Sequence, residues 1–481
     1  MILDKSFYKN NSKLILQLTL LVLSVIIGVS VAFFSIKKSL FLLAMVIGFL
    51  LLFICISNFK VGFIVSLTAA FSVFIVSRYF MDSFPIGWIV ESFIYTSFLG
   101  LVANCLIHGK SLAKPLYHPI SIFFVIYLLF ILWQALNPSM YSMIGWFHFF
   151  RRQVMIFLTY ILVVHYIESE SDVKQLIKIW LFFAAASALY AIFTQLIVLP
   201  NFEDQWVLAS KNREKLYYLV DGFKRKYSFY SDPAAFGMDM AATSLLLIIL
   251  VFYREKRHQV VLFILLSLFC LLGAIYSGTR TAYLMILAGM LLFLLMKGIN
   301  RTTIVVVLLS LLGLVGILKI PIYDNLFINR VRSAFNISQD ASLQIRNLNR
   351  ARIQPYIHDN PIGGGIYTTG GQGLEYNPGH ILAGFPPDSG YLRAALETGW
   401  IGLIVILIFH FIILRSGIFS FFEQSNKSMR GILAAVTACF FSFVIANYGQ
   451  DVFGQIPSCF FFCICIGIIV KSKNLKNKVT P

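Results

Sequence analysis

Acidic residues are scarce in this chain: 21 Asp and Glu are spread over 481 residues, and all charged residues together make up 12% of it. Soluble domains carry charge on about a quarter of their residues, so a water-soluble globular protein is excluded. So thin a supply of carboxylates also leaves no cluster that would demand a divalent metal. The seven cysteines (Cys55, Cys105, Cys270, Cys439, Cys459, Cys463 and Cys465) lie within or beside apolar runs, and no histidine or second cysteine pair completes a metal set or a disulfide framework. They read as packing residues. No internal repeat relates one group of apolar runs to another, whereas many transporters carry paired halves.

What the chain has instead is apolar length. Hydrophobic residues make up 59% of it, 47 of them Phe, and the mean hydropathy is +0.82. This is the composition of a polytopic membrane protein, an all-α transmembrane helical bundle. Runs long enough to cross roughly 30 Å of hydrocarbon occur at 14–34, 39–57, 61–77, 86–107, 119–137, 153–167, 176–199, 235–253, 259–277, 281–296, 302–320, 389–414, 431–447 and 456–470. That gives about 12–14 spans. The first run follows Lys5, Lys9 and Lys13 but is too long for a signal peptide and lacks a small-residue cleavage site, so it reads as the first span.

With the N-terminus in the cytoplasm, alternate loops fall inside and carry Lys110 and Lys114, then Arg254, Lys256 and Arg257, then Lys297 and Arg301, then Arg415, Lys427 and Arg430, and finally Lys471, Lys473, Lys476 and Lys478. This follows the positive-inside rule and puts both termini in the cytoplasm. The loop 201–233, the short hinge Ser277 to Arg280 and the polar island Pro321 to Asp388 then share the outer face. Four segments follow: N-terminal spans at 1–118, central spans with the first outer loop at 119–320, a large extracytoplasmic loop at 321–388, and C-terminal spans with a basic tail at 389–481.

The outer loops are themselves basic, with Lys211, Arg213, Lys215, Lys224, Arg225 and Lys226 in the first and Arg330, Arg332, Arg346, Arg350 and Arg352 in the second. Long outer loops escape the orientation rule, so an anionic ligand is the simplest cause; a solvated basic loop is the alternative. Asp340 is an expected N-cap for a helix that sets Arg346 and Arg350 four apart on one face before Pro355 ends or kinks it. Paired guanidinium forks suit phosphate oxygens, although solvent-facing arginines would look the same. The run Gly363-Gly364-Gly365 permits positive φ, so its N–H groups could approach a phosphate or sugar, or it could be a tight turn. Asp388 stands where the N-cap of the span at 389–414 would stand, and is either that cap or a proton acceptor for a hydroxyl. Arg280 sits between two spans with almost no loop, as a functional cation or a snorkelling one. Glu91, Asp239, His165 and His410 fall inside apolar runs without an assignable partner.

These motifs resemble the O-antigen polymerase and ligase superfamily, membrane enzymes acting on polyprenyl-pyrophosphate-linked sugars. Asn137-Pro138 with Gly145 and Arg151-Arg152, Phe229 to Gly237 around Asp232, the hinge Ser277 to Tyr283, Arg346 through Gly365, and Asp388 through Gly402 are similar to that family's motifs in the expected order. The ligase branch commonly has His where this chain has Asp388, which favours a polymerase and leaves His358 and His380 as alternative bases.

The resemblance implies a GT-C-like glycosyltransferase in the bacterial cytoplasmic membrane. Its substrates are polyprenyl-pyrophosphate-linked oligosaccharides, its neighbours membrane lipid, a flippase and a chain-length regulator, and nucleic acid has no part. Arg280 and Arg346, with Arg350 or Arg352, would neutralise the departing pyrophosphate, and Asp388 would take the acceptor proton. Gly363, Gly365, Tyr391, Arg151 and Asp232 would line the glycan or pyrophosphate site. No cofactor is implied, and a divalent ion bridging pyrophosphate to Asp232 or Asp388 stays open as an alternative. A ligase with a lipid-core or protein acceptor is the nearer alternative reading; a lipid-linked oligosaccharide flippase is the more distant one.

Overall fold

The computed structural model describes residues 36–82, 86–197, 199–219, 222–298 and 341–476, with a few single positions elsewhere. Apart from such positions, the expected spans 14–34 and 302–320, the part of the polar island from Pro321 to Asp340, and the last five residues lie outside the described residues. With them go Arg330 and the N-cap expected of Asp340.

Low charge and long apolar runs yield helices because an α-helix satisfies its backbone groups inside hydrocarbon from within its own segment. In order these are α1 (Ile36–Ser57), α2 (Phe59–Tyr79), α3 (Ile86–His108), α4 (Pro119–Trp133), α5 (Met143–Tyr166), α6 (Glu170–Leu196), α7 (Asn201–Leu208), α8 (Lys211–Tyr217) and α9 (Pro233–Val251). There follow α10 (Arg257–Tyr276), α11 (Arg280–Lys297), α12 (Ala341–Asp359), α13 (Gly370–Tyr376), α14 (Gly390–Glu397), α15 (Gly399–Glu423), α16 (Lys427–Ala446) and α17 (Ser458–Lys476). Ten helices among the described residues are long and apolar enough to cross a membrane, and α1 and α17 are further apolar helices beside them. The protein is a polytopic helical bundle.

Helices α9 and α16 form its centre: 83% and 78% of their apolar stretches are buried, against 22% for the peripheral α10 and α15. The outer helices show Phe53, Leu106, Phe182, Leu295 and Phe411 on the surface, as a chain whose solvent is lipid must. All seven cysteines are free and buried, in keeping with packing roles.

The connections sort into two ends. At one end Glu168 accepts from Lys110 at 2.8 Å and from Lys60 at 3.1 Å, and the Lys110 bond above all holds its carboxyl down at about 2. The 2.7 Å Lys427–Glu255 pair and the bond from Asn426 to Glu170 belong to the same end. At the other end the first polar loop docks on the hinge: Arg225 donates to the Ser277 carbonyl at 2.9 Å and to the Thr279 hydroxyl at 3.2 Å, and the Lys226 N–H donates to the Tyr276 carbonyl. A buried ion pair staples that loop to α2. Arg78 Nη1 lies 2.8 Å from Glu203 Oε1, the guanidinium also donates to the Ser228 and Tyr230 carbonyls, and the Tyr227 ring covers it at 4.3 Å.

Two expectations are corrected here. The run 389–414 is not one helix: Gly399 takes φ +71° between α14 and α15, where any Cβ would strike the Pro361 carbonyl, so the chain breaks at the one residue able to turn there. Pro355 does not end the Arg346 helix, which runs on to Asp359 with the proline inside it.

Candidate functional site

The polar island is anchored from two sides. Asn137 Nδ2 donates to the Ile362 and Gly363 carbonyls at 3.1 and 3.2 Å. Buried Asn377 accepts from the Tyr141 and Ser142 N–H groups at 2.9 Å each and donates to the Tyr367 carbonyl at 2.8 Å. The bonds of Asn137 and those from Tyr141 and Ser142 stretch across more than two hundred residues of sequence and fix the loop onto the α4–α5 connection, and the Asn377 bond to Tyr367 ties the loop to itself.

Within this frame Arg346 and Asp388 meet: Arg346 Nε lies 3.7 Å from Asp388 Oδ2, and both side chains are about 30% exposed, at 27% and 31%. At that distance and exposure the attraction is loose and solvent-screened, so both groups remain open to a ligand. Asp388 is not the cap of α14. That role belongs to Ser389, whose Oγ accepts from the Leu392 N–H and donates to the Asn447 carbonyl. The residue after the carboxylate does the capping, which leaves both Asp388 oxygens free of backbone work.

One loop, Asn447 to Asp451, gathers the other members. Arg350 donates to the Tyr448 carbonyl at 3.0 Å and stacks on the Tyr448 ring at 4.3 Å. The Gly390 N–H donates to the Asn447 carbonyl at 3.0 Å. Gly449 faces Thr281, whose Oγ1 lies 3.5 Å from where a Cβ would stand. Arg280, at the first position of α11 next to Thr281, is half-buried. Arg352 is exposed and sits two residues, about 200°, round the helix from Arg350, so it does not join the group.

The remaining candidates have local duties. Gly364 and Gly365 donate their N–H groups to the Leu396 and Glu397 carbonyls, so the glycine run caps the C-terminal end of α14 instead of cradling a phosphate, and Gly363 (φ +76°) and Gly365 (φ +95°) serve close packing. Asp232 is the N-cap of α9, accepting from Ala234 and Ala235 at 2.8 and 3.0 Å. The Tyr391 hydroxyl donates to the Val444 carbonyl. His380 is buried with its Nδ1 accepting from the Leu382 N–H, and burial lowers its affinity for a proton, while His358 is exposed near the end of α12. Arg151 pairs with Glu91 at 3.1 Å and stacks on Trp88 at 4.0 Å.

Sequence reasoning missed Arg393, Asp451 and Glu397. Arg393 Nη1 lies 2.5 Å from Asp451 and Nε 3.8 Å from Glu397, and Nη2 donates to Gln372. The four-residue spacing of Arg393 and Glu397 was a readable signal; Asp451 comes from another loop and gave none. This network lines a cavity of about 170 Å³ together with Gly390, two residues from Asp388, Asn447, and aromatic and aliphatic side chains such as Phe124, Phe409, Phe440 and Ile413.

Residues 265–407 match the model of the O-antigen ligase family, a stretch that includes the hinge, Arg346, Asp388 and Arg393. The resemblance to the O-antigen polymerase and ligase superfamily therefore holds, and the chain carries that family's domain over these residues. Ten helices long and apolar enough to cross a membrane make this a membrane protein, and it carries an O-antigen ligase family match at residues 265–407. No curated protein matches the chain.

Proposed function

We propose that this protein is a polysaccharide polymerase, which transfers a glycan from polyprenyl pyrophosphate to a hydroxyl of another lipid-linked repeat unit at the outer face of the cytoplasmic membrane. The observation that carries the reading is the approach of Arg346 to Asp388, two residues before the Gly390 that lines a cavity, with Arg350 bonded to the neighbouring Asn447 to Asp451 loop. In the reaction the acceptor oxygen bonds to the anomeric carbon, the bond from that carbon to the diphosphate oxygen breaks, and its electron pair leaves on the diphosphate. The hydroxyl proton passes to a free oxygen of Asp388. Such a carboxylate suffices as base because cleavage of a good leaving group runs ahead of proton transfer. Arginine forks facing the diphosphate offset the charge that grows there, in a site partly closed to water.

The basic end of the bundle, with Lys60, Lys110 and Lys427, is read as cytoplasmic and the end bearing the polar island as external, following the positive-inside rule. The second reading, a ligase, is favoured by the matching family's description and differs only in acceptor. Purified protein incubated with lipid-linked repeat units alone separates the two. A ladder of polymer supports the proposal, and product formed only when a second acceptor is added replaces it with the ligase.

A further inference from the structure

Two cavities share part of their lining. The cavity lined by Gly390, Arg393 and aromatic side chains and a second, more polar cleft of about 370 Å³ under the Tyr367 to Tyr376 segment share Arg152, Gly454 and Gln455. Arg152 stands about nine residues into α5, roughly 13 Å from the helix start. Arginine so deep in an apolar helix faces the bundle interior and marks a ligand path. Its Nη2 donates to the Tyr367 hydroxyl and its Nε has no acceptor. Tyr367 is fixed for this contact: it holds φ +56°, unusual for a non-glycine residue, under the Asn377 bond, with its ring stacked on Tyr376 at 5.7 Å.

Charge balance says what such a groove would hold. Arg151 is answered by Glu91, Arg393 by Asp451 and Glu397, and Arg152 is followed along the cleft by exposed Glu375. The lining thus carries four carboxylates against three guanidinium groups, and a further anion would gain little from it. What remains unmet are single hydrogen-bond positions of both kinds: Arg152 Nε, Arg393 Nε and Arg151 Nη1 as donors, Gln455 Oε1 as an acceptor. Mixed donors and acceptors beside aromatic faces suit a neutral polyhydroxyl ring, each hydroxyl of which both gives and takes a hydrogen bond.

We infer that Arg152, Gln455 and Arg393 form a glycan groove that holds neutral hexose units of the lipid-linked substrate and leads them from the Tyr376 cleft toward Gly390, two residues from Asp388. The inference deepens the polymerase reading and rests on it for the direction of travel. Arg152 bridges the two cavities and reads ring hydroxyls. The Arg393–Asp451 pair presents a fixed donor and acceptor to the next ring, and the diphosphate stays with Arg346.

The test is saturation-transfer NMR on the full chain in lipid nanodiscs, with lactose as neutral probe, glucuronate as acidic probe and inorganic pyrophosphate as the anion. Lactose is expected to bind saturably and more tightly than glucuronate. Arg152→Gln is expected to weaken lactose about tenfold, the loss of one or two charge-assisted hydrogen bonds, while pyrophosphate binding is lost with Arg346→Gln and kept with Arg152→Gln. Gln455→Met, nearly equal in volume, is a second probe that spares the fold and should weaken lactose several-fold. Tighter binding of glucuronate than of lactose, or lactose binding unchanged in Gln455→Met, overturns the groove. Polymer formation by a protein that ignores lactose would sink the groove and leave the polymerase; lactose binding without any transfer would do the reverse.

Discussion

Arg346 and Asp388, near the two ends of the described part of the polar island, come within 3.7 Å of each other, and the neighbouring Ser389 relieves Asp388 of helix capping. Base and cap are thus separate residues, and their losses should look different. Asp388→Asn is expected to reduce transfer by at least about a hundredfold with little change in thermal unfolding. Ser389→Ala is expected to cost about 1 kcal/mol of stability while the remaining folded protein stays active. Transfer rates and melting curves on the same preparations check both.

The arginines divide by helix face. Arg346→Lys and Arg280→Lys keep the charge but lose the fork, and single-turnover transfer is expected to slow by about tenfold or more in each. Arg352→Gln, on the exposed side of α12, is expected to change the same rate less than twofold.

The Arg78–Glu203 pair is almost fully buried, at 2% and 1% exposure, so removing one partner strands a charge. Glu203→Gln or Arg78→Met alone should destabilise the protein by about 3–5 kcal/mol, and the double change Arg78→Met with Glu203→Leu by less than either. Thermal unfolding in detergent reads this directly.

Lys226 gives a pH signature. Burial, aided by nearby Lys224, pushes its ammonium down to about 8, and the group donates to the Thr194 carbonyl. Between pH 8 and the unfolded value near 10.4 the unfolded chain binds the proton and the folded one does not, so stability must rise with pH across that window. Protease resistance of the 201–233 loop is expected to be greater at pH 9.5 than at pH 7.5, and Lys226→Met should flatten the difference.

Much of the bundle was legible because apolar length decides which segments can enter hydrocarbon. Its errors have local causes. The expected span 153–167 begins ten residues late because Arg151 and Arg152 interrupt the apolar run, although one is paired with Glu91 and the other lines cavities inside the bundle. The glycine run at 363–365 promised free N–H groups, but only the fold could bring the Leu396 and Glu397 carbonyls to them. Asp388 and Ser389 both suit a cap, and the choice turned on where the chain meets Asn447. Asp451 and Glu203, whose partners lie far away in sequence, carried no signal at all.

The most direct measurement is single-turnover release of polyprenyl diphosphate from purified protein supplied only with lipid-linked repeat units. One diphosphate carrier freed for each glycosidic bond formed, with both lost together in Asp388→Asn and Arg346→Gln, is the expected result. Glycosidic bonds formed without carrier release, or wild-type release in both variants, would contradict the assignment of Arg346 and Asp388 to the chemistry.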